Sequence, residues 1–260
     1  MESPQVTHEL KNDMMGLVER VDGPSGPVVR RVAKGGSIPG TRLVARVLMG
    51  RERRALERLA DVTGVARLVE DEAYASAPSL GGGPPRRKDV LMRSWVDGNP
   101  LQQADELPEN FFELLEDLVR ELHRRGVCHN DLHKEANILV GEDGYPALVD
   151  FQLASVHERE DRGYGVRVRE DLRHVKKHRW KYTSRGGAAA EAATAAGEVR
   201  PSKKRSFLAH AWLRFGKPPY LFVTRKVIGY KGGERGRPKT GPWPEWTAPL
   251  APRERSTTPA

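Results

Sequence analysis

The chain has 260 residues, of which 38% are hydrophobic and 30% are charged, and it contains one cysteine. This length can bury a hydrophobic core in one larger domain or in two small ones. A single cysteine excludes an internal disulfide framework and a cysteine-rich zinc site, and it favours a reducing compartment. The polar N-terminus is not typical of a secretory signal, and no apolar run approaches the roughly 18 residues that a membrane span needs. We therefore expect a cytoplasmic protein.

The net charge of +9 is unevenly distributed. Residues 1–160 contain 21 basic and 27 acidic residues, whereas residues 161–260 contain 23 basic and 8 acidic residues. A basic half suggests a surface for a polyanion such as nucleic acid, anionic lipid or a phosphorylated partner. A solvated basic tail without a partner explains the same composition.

Short β-type runs in the first third of the chain predict a sheet. Residues 16–21 and 27–33 flank the turn DGPSG and predict a hairpin, and residues 66–76 and 89–96 predict two more strands. Between them, apolar residues at spacings of three and four predict a helix over 41–59. The predicted apolar stripe of this helix consists of Leu43, Val44, Val47, Leu48, Ala55, Leu56 and Leu59.

The middle of the chain is predicted to be mainly helical. A broad apolar stripe predicts a buried helix over about 109–126, which Gly126 ends. The runs 137–140 and 147–151 flank the turn GEDGY and predict a second hairpin. A basic helix is expected at about 169–182.

Beyond this helix the composition changes abruptly. Residues 183–205 are low in complexity and predict a linker, residues 206–230 predict an ordered segment, and residues 231–260 predict a disordered tail. Residues 206–231 combine aromatic and basic side chains, which suits peripheral contact with an anionic membrane. Packing of the same aromatic side chains onto the preceding helical region is the alternative.

The stretch 128–154 contains three residues that suit phosphoryl transfer. Asp131 and Asn137 lie on one loop, and Asp150 follows the predicted hairpin. Such a hairpin folds back on the loop and brings the three oxygen-bearing side chains together. Carboxylate and amide oxygens are hard ligands for Mg²⁺, and a further carboxylate can orient an attacking hydroxyl.

The motifs HNDLHKEANILV and VDF resemble the catalytic loop and the metal-binding segment of the protein-kinase-like superfamily. They are most similar to a compact bacterial branch that includes RIO-type kinases and lipopolysaccharide (Kdo) kinases. The resemblance covers about residues 10–180. It implies a two-lobed α+β fold over 10–182, with a small β-rich N-lobe at about 10–95 and a helical C-lobe at about 100–182. It also implies ATP and Mg²⁺ as cofactors.

The resemblance assigns roles to five residues of this stretch. Asp131 corresponds to the catalytic aspartate, and His129 to the histidine that braces the loop. Lys134 corresponds to the lysine that reaches the γ-phosphate. Asn137 and Asp150 correspond to the residues that hold Mg²⁺.

In kinases, a strand cation binds the ATP phosphates and pairs with a glutamate on the following helix. The cation is Arg30 or Arg31 in this chain, and Glu52 is its expected partner. Because successive strand residues face opposite sides, only one of the two arginines can face the cleft, and we expect Arg30. Residues 91–98 resemble the strand and hinge that bind adenine, and Asp97 is a candidate for the ribose hydroxyls.

The chain also departs from the kinase pattern. Arginine replaces the strand lysine, and Gln152 stands where the metal motif has glycine. The spacing from Asp131 to Asn137 is one residue longer than usual. No G-x-G-x-x-G loop is present to cover the phosphates. No Ala-Pro-Glu motif follows Asp150, so the peptide-docking region of eukaryotic-type protein kinases is not indicated.

These features predict an ATP- and Mg²⁺-dependent kinase. The γ-phosphoryl group would pass to a hydroxyl, either of serine or threonine in a protein or of a lipid-linked sugar. The alternative is a pseudokinase that serves as a nucleotide-binding scaffold. Nucleic acid is not favoured as a partner, because the basic half lacks a recognition motif. We expect a cytoplasmic location, with peripheral contact at the inner membrane face if residues 206–231 bind lipid.

Overall fold

The computed structural model describes four stretches of the chain: residues 3–13, 16–34, 40–104 and 107–183. Apart from Thr183, the three expected C-terminal segments lie outside these residues, namely 183–205, 206–230 and 231–260. Within the described residues the chain is mixed α and β, with a sheet-rich N-terminal region followed by helices. In chain order the elements are β1 (Gln5–Asp13), β2 (Gly16–Asp22), β3 (Val28–Val32), α1 (Thr41–Arg58), α2 (Glu72–Ser76), β4 (Val90–Ser94), β5 (Asn99–Pro100), α3 (Phe111–Arg124), β6 (Val127–Cys128), β7 (Ile138–Val140), β8 (Pro146–Leu148), β9 (Ser155–Val156) and α4 (Arg162–Thr183).

The N-terminal sheet is antiparallel, with the strand order β1-β2-β3-β4. The predicted hairpin is confirmed as β2 and β3, joined by a turn in which Gly26 has a φ of 92° that favours glycine. All five residues of β3 are buried, so both faces of this strand are covered. β1 was not predicted, because it is an edge strand whose residues are mostly exposed and therefore lack an apolar pattern.

Helix α1 confirms the helix predicted at 41–59, but its predicted apolar stripe is only partly buried. Leu43, Val44 and Val47 were expected in the apolar stripe and are exposed, Leu43 by 65%. The buried face contains Ala45 and the charged residue Glu52. Ala55, Leu56 and Leu59 of the predicted stripe are buried as expected, so the prediction was wrong only in the N-terminal half of the helix.

The strand predicted at 66–76 is also wrong. Residues 72–76 form the short helix α2, and Leu68 makes only an isolated bridge to Arg93. The side chain of Asp71 accepts a hydrogen bond from the backbone N–H of Ala73 and so caps the helix. Tyr74 is buried, and its hydroxyl donates to the carbonyl of Gly26 over 3.0 Å. These contacts outweigh the β propensity of the apolar residues.

The second half of the described chain packs around α3. This helix confirms the buried helix predicted at 109–126, and α4 extends the predicted basic helix toward the N-terminus, to Arg162. The hairpin of β7 and β8 confirms the second predicted hairpin, and β6 pairs with β9. One hydrophobic cluster joins α3 to the C-terminal part of α1, to β7 and β8 and to α4. This cluster fixes the loop after β6 relative to the helices.

No helix in the described stretches is both long enough and apolar enough to cross a lipid bilayer.

Candidate active site

The loop after β6 contains the expected catalytic residues and is held by an unusual backbone turn. Asn130 has a φ of 63°, a left-handed conformation that asparagine tolerates better than most residues. Its side-chain amide donates to the carbonyl of Leu153 over 2.9 Å and to Oγ of Ser155 over 3.1 Å. Asn130 therefore ties the loop to the segment that follows the second hairpin.

Asp171 of α4 holds the same loop from the other side. Its buried carboxylate accepts hydrogen bonds from the backbone N–H groups of His129, over 2.8 Å, and Asn130, over 3.0 Å. Nε2 of His123 lies 3.2 Å from the carboxylate as well. This residue was not predicted from the sequence. The only available signal was the pair of acidic residues, Glu170 and Asp171, in an otherwise basic helix.

Asp131 is 2% exposed and lies at the centre of the site. Its Oδ2 accepts hydrogen bonds from Nζ of Lys134 over 2.7 Å and from the amide of Asn137 over 3.1 Å. Its Oδ1 lies 2.9 Å from Nδ1 of His133. Burial alone would raise the pKa of Asp131, but His133 and Lys134 lower it to about 2. The carboxylate is therefore ionised at neutral pH and can accept a hydrogen bond from a hydroxyl.

His129 connects this loop to the segment around Asp150. Its Nδ1 accepts a hydrogen bond from the N–H of Asp131, so Nε2 carries the proton and donates to the carbonyl of Val149 over 3.0 Å. Its ring packs against Phe151 at a centroid distance of 4.7 Å. His129 thus contacts both neighbours of Asp150, which agrees with the bracing role that the resemblance implies.

Asn137 and Asp150 are brought together by the hairpin of β7 and β8. The backbone N–H of Val149 donates to the carbonyl of Asn137 over 3.0 Å, next to Asp150. Asp150 adopts a φ of 65°, and its side chain is 24% exposed. Burial opposes ionisation, but Arg31 and Arg93 more than compensate and lower the pKa of Asp150.

These residues fit a bound Mg²⁺. The amide nitrogen of Asn137 is engaged by Asp131, so its oxygen is the atom that can serve a cation. Asp150 adds an ionised carboxylate that is open to solvent on one side. Mg²⁺ prefers hard oxygen ligands of this kind and usually keeps several waters.

Glu52 lies between two arginines in the interior of the N-terminal region. The glutamate is fully buried, and its Oε2 lies 3.1 Å from Nε of Arg31. Its Oε1 lies 2.6 Å from Nη1 of Arg93 on β4. Arg31 also reaches Asp150, with Nη2 3.2 Å from Oδ1. Two arginines and two carboxylates therefore form one connected group that joins β3, α1 and β4 to the second hairpin.

The structure corrects the expectation for Arg30. Its side chain is fully buried on the opposite face of β3, where it pairs with Glu19 over 2.8 Å. It also donates to the carbonyls of Tyr74, over 2.9 Å, and Ala77, over 2.6 Å. These contacts use the guanidinium as a structural link between β2, β3 and the region of α2. Arg31, not Arg30, lies beside Glu52 and Asp150.

Two further polar residues lie on β4 or shortly after it. Asp97 lies after β4 and is exposed, and its Oδ1 accepts a hydrogen bond from Nε1 of Trp95 over 2.7 Å. Its contact with ribose stays a prediction. Arg93 was missed by the sequence analysis. The available signal was an arginine within the apolar strand LMRSWV, since a charged residue in such a position needs a buried partner.

Residues 35–159 match the model of the phosphotransferase enzyme family. The matched stretch contains Glu52, Asp131, Asn137 and Asp150, and it begins after Arg31. The match supports a phosphotransferase with a protein-kinase-like fold. These four residues are the ones that the contacts described above connect with Arg31.

A second similarity is to a protein of Streptomyces coelicolor named probable SapB synthase. The two sequences are 31% identical over an alignment of 113 residues, and the alignment covers 40% of this chain. The chain spans 12% of the length of that protein. Neither similarity concerns the RIO-type or Kdo-kinase branch, so that narrower prediction is not confirmed.

Proposed function

We propose that the protein is a kinase that uses ATP and Mg²⁺ to phosphorylate a hydroxyl group. The observation that carries this proposal is the direct link from Arg31 and Glu52 to Asp150, within the same site as Asp131 and Asn137. A phosphate-binding cation, a metal-binding pair and a catalytic carboxylate are the parts that phosphoryl transfer requires. The match to the phosphotransferase family supports the same reaction class.

Each residue has a separate task in the proposed reaction. Asp131 accepts a hydrogen bond from the acceptor hydroxyl and orients its oxygen toward the γ-phosphorus. A new oxygen–phosphorus bond forms, the bond to the β-phosphate oxygen breaks, and ADP leaves. The hydroxyl proton passes to Asp131 or through it to solvent. Lys134 donates a hydrogen bond to Asp131 over 2.7 Å, so its ammonium group would lie near the phosphoryl group that is transferred.

The phosphates of ATP would be held from two sides. Arg31 would bind the α- and β-phosphates, with Glu52 fixing its orientation. Asn137 and Asp150 would hold Mg²⁺, which neutralises charge on the β- and γ-phosphates when it is bound. Since Asp150 contacts Arg31 directly, these two sets of ligands would act as one unit.

The acceptor hydroxyl would belong to serine or threonine in a protein or to a lipid-linked sugar. Neither similarity supports the alternative of an inactive pseudokinase.

Aromatic and basic residues at 206–231 suggest contact with an anionic membrane, which would favour the lipid-linked acceptor. Co-sedimentation of the full chain with anionic but not neutral vesicles at low salt is the expected result, and equal behaviour with both would contradict it.

Transfer of radiolabel tests the proposed function. The full chain is incubated with ATP labelled on the γ-phosphate, with Mg²⁺, and with either cell-envelope extract or total cell protein. We expect label on a lipid or protein fraction, and none with an Asp131→Asn variant that still binds ATP. Nucleotide binding without labelled product in either extract would instead identify a pseudokinase.

A further inference from the structure

The two oxygens of Asp131 face different surroundings. Oδ2 contacts Asn137 and Lys134, the residues proposed for the metal and the γ-phosphate. Oδ1 lies 2.9 Å from Nδ1 of His133, whose side chain is 55% exposed. Oδ1 is covered by the ring of His133, so an acceptor hydroxyl that approaches from the side of Oδ1 must pass His133. His133 lies at the entrance to that side.

Helix α4 adds basic residues next to His133. The rings of His133 and His174 lie 6.0 Å apart. Lys177 follows His174 by three residues, which places both on one face of the helix, and it is exposed. Burial is the main cause that lowers the pKa of His174. Nearby positive groups, which include Arg173 and Lys177, lower it further, to about 3. Lys177 and His133 therefore both lie close enough to His174 to act on its ring.

The acidic residues near this face already have basic partners. Glu170 lies 2.8 Å from Nη2 of Arg173 and 4.0 Å from Nε2 of His174, and Glu135 lies 2.5 Å from Nζ of Lys181. Lys177 has no carboxylate partner among the described parts of the chain. The positive charge of Lys177 is therefore available to a ligand, and it lies on the helix face that carries His174.

We propose that His133, His174 and Lys177 form a subsite for an anionic group of the acceptor. The acceptor is then an alcohol that carries a phosphate or carboxylate group close to the hydroxyl that reacts. This inference rests on the proposed function, because it takes Asp131 as the residue that orients the hydroxyl. A cationic acceptor is disfavoured at this site, since like charges repel.

Binding of a matched pair of small alcohols tests the subsite. The full chain, labelled in its histidine rings, is saturated with Mg²⁺ and a non-hydrolysable ATP analogue so that the nucleotide site is filled. Glycerol 3-phosphate or glycerol is then added at constant ionic strength, and the ring signals are followed by NMR. We expect saturable shifts at His133 and His174 with glycerol 3-phosphate only, and none at His8, an exposed residue of β1.

Two lysine variants complete the test. Lys177→Gln is expected to weaken binding of glycerol 3-phosphate by about fivefold, the effect of one unit charge about 4 Å away in water. Lys176 is also exposed but lies on a different face of α4, so Lys176→Gln is expected to leave the affinity unchanged. Equal weakening by both variants, equal binding of glycerol, or no saturable shift would overturn the subsite.

The same samples separate this inference from the proposed function. Saturation by the nucleotide analogue with Mg²⁺ is measured before any alcohol is added. Failure of nucleotide binding would contradict the kinase, whereas normal nucleotide binding without a response to glycerol 3-phosphate would contradict only the anionic subsite.

Discussion

Arg93 donates a hydrogen bond to Glu52 over 2.6 Å, and both side chains are almost completely buried. Glu52 keeps this partner on its Oε1 while Arg31 lies at its Oε2. If Arg31 shifts toward bound phosphate, the carboxylate of Glu52 therefore remains paired. Arg93 acts as a positioning residue that keeps Glu52 in place, and it does so from a strand that is covered on both faces.

We predict that Arg93→Met destabilises the protein by about 3 kcal/mol, the usual cost of removing one partner of a buried ion pair. Urea unfolding would measure this loss. Combination with Glu52→Gln should cost less than the sum of the two single changes, because one interaction cannot be lost twice. Additive effects would mean that the two residues do not stabilise each other.

Arg31 and Arg30 offer a matched comparison, since they are neighbours on β3 that face opposite sides. Arg31→Met is expected to raise the KM for ATP at least tenfold, because it removes the proposed phosphate-binding cation. Arg30→Met is expected to lower the free energy of unfolding by about 3 kcal/mol, since it leaves the buried Glu19 without its partner. Its KM for ATP should stay near that of the unchanged protein. Steady-state kinetics and urea unfolding distinguish the two, and a reversed pattern would contradict the assignment.

This pair shows which parts of the site could be predicted from sequence. Strand alternation predicts that only one arginine faces the cleft, but it does not identify which one. Arg30 is held on its side of β3 by Glu19 and by backbone carbonyls in and after α2. Residues 66–76 were predicted as a strand, so these carbonyl contacts were not expected. Long-range partners of this kind leave no local pattern in a sequence.

The loop that carries Asp131 and Asn137 could be predicted more completely, because its characteristic residue types occur at short spacing. Asp131, Asn137 and Asp150 follow a recognisable order, and one predicted hairpin brings them together. Asp171 and Arg93 were missed for the opposite reason. Each is a single charged residue whose importance comes from elements that lie far away in the chain.

Asp150→Asn should abolish the dependence of nucleotide binding on Mg²⁺, because the variant loses the anionic ligand proposed for the metal. Isothermal titration with ATP, with and without Mg²⁺, would show this. Asp131→Asn serves as the control and should keep the dependence, since Asp131 orients the acceptor in this scheme. Persistence of the Mg²⁺ effect in Asp150→Asn would contradict the metal assignment.

Asp171→Asn is expected to reduce turnover by about 10- to 100-fold while leaving ATP affinity nearly unchanged. The carboxylate accepts hydrogen bonds from two backbone N–H groups of the catalytic loop, and an asparagine side chain offers only one acceptor oxygen. A displacement of about 1 Å in such a loop can cost roughly 100-fold in rate. Comparison of kcat with KM for ATP would separate this effect from loss of the nucleotide site. An equal loss of affinity would contradict it.

The ion pairs of Asp131 predict a specific acid sensitivity. Because His133 and Lys134 lower the pKa of Asp131 from 3.8 to about 2, folding favours its ionised form. The resulting stabilisation is fully present above about pH 5, where the carboxylate is ionised even in the unfolded chain. It is lost as the pH falls from about 4 toward 2, since the unfolded chain then takes up a proton that the folded chain resists.

A shift of this size corresponds to about 2 kcal/mol. Asp131→Asn removes the titrating group, so the difference in free energy of unfolding between the unchanged protein and the variant should shrink as the pH is lowered from 6 toward 3. Urea unfolding at a series of pH values in this range would measure it. An Asp143→Asn variant, changed at an exposed turn residue, is the matched control and should show no comparable trend. A constant difference between the unchanged protein and Asp131→Asn at all pH values would mean that the contacts of His133 and Lys134 do not stabilise the charged form of Asp131.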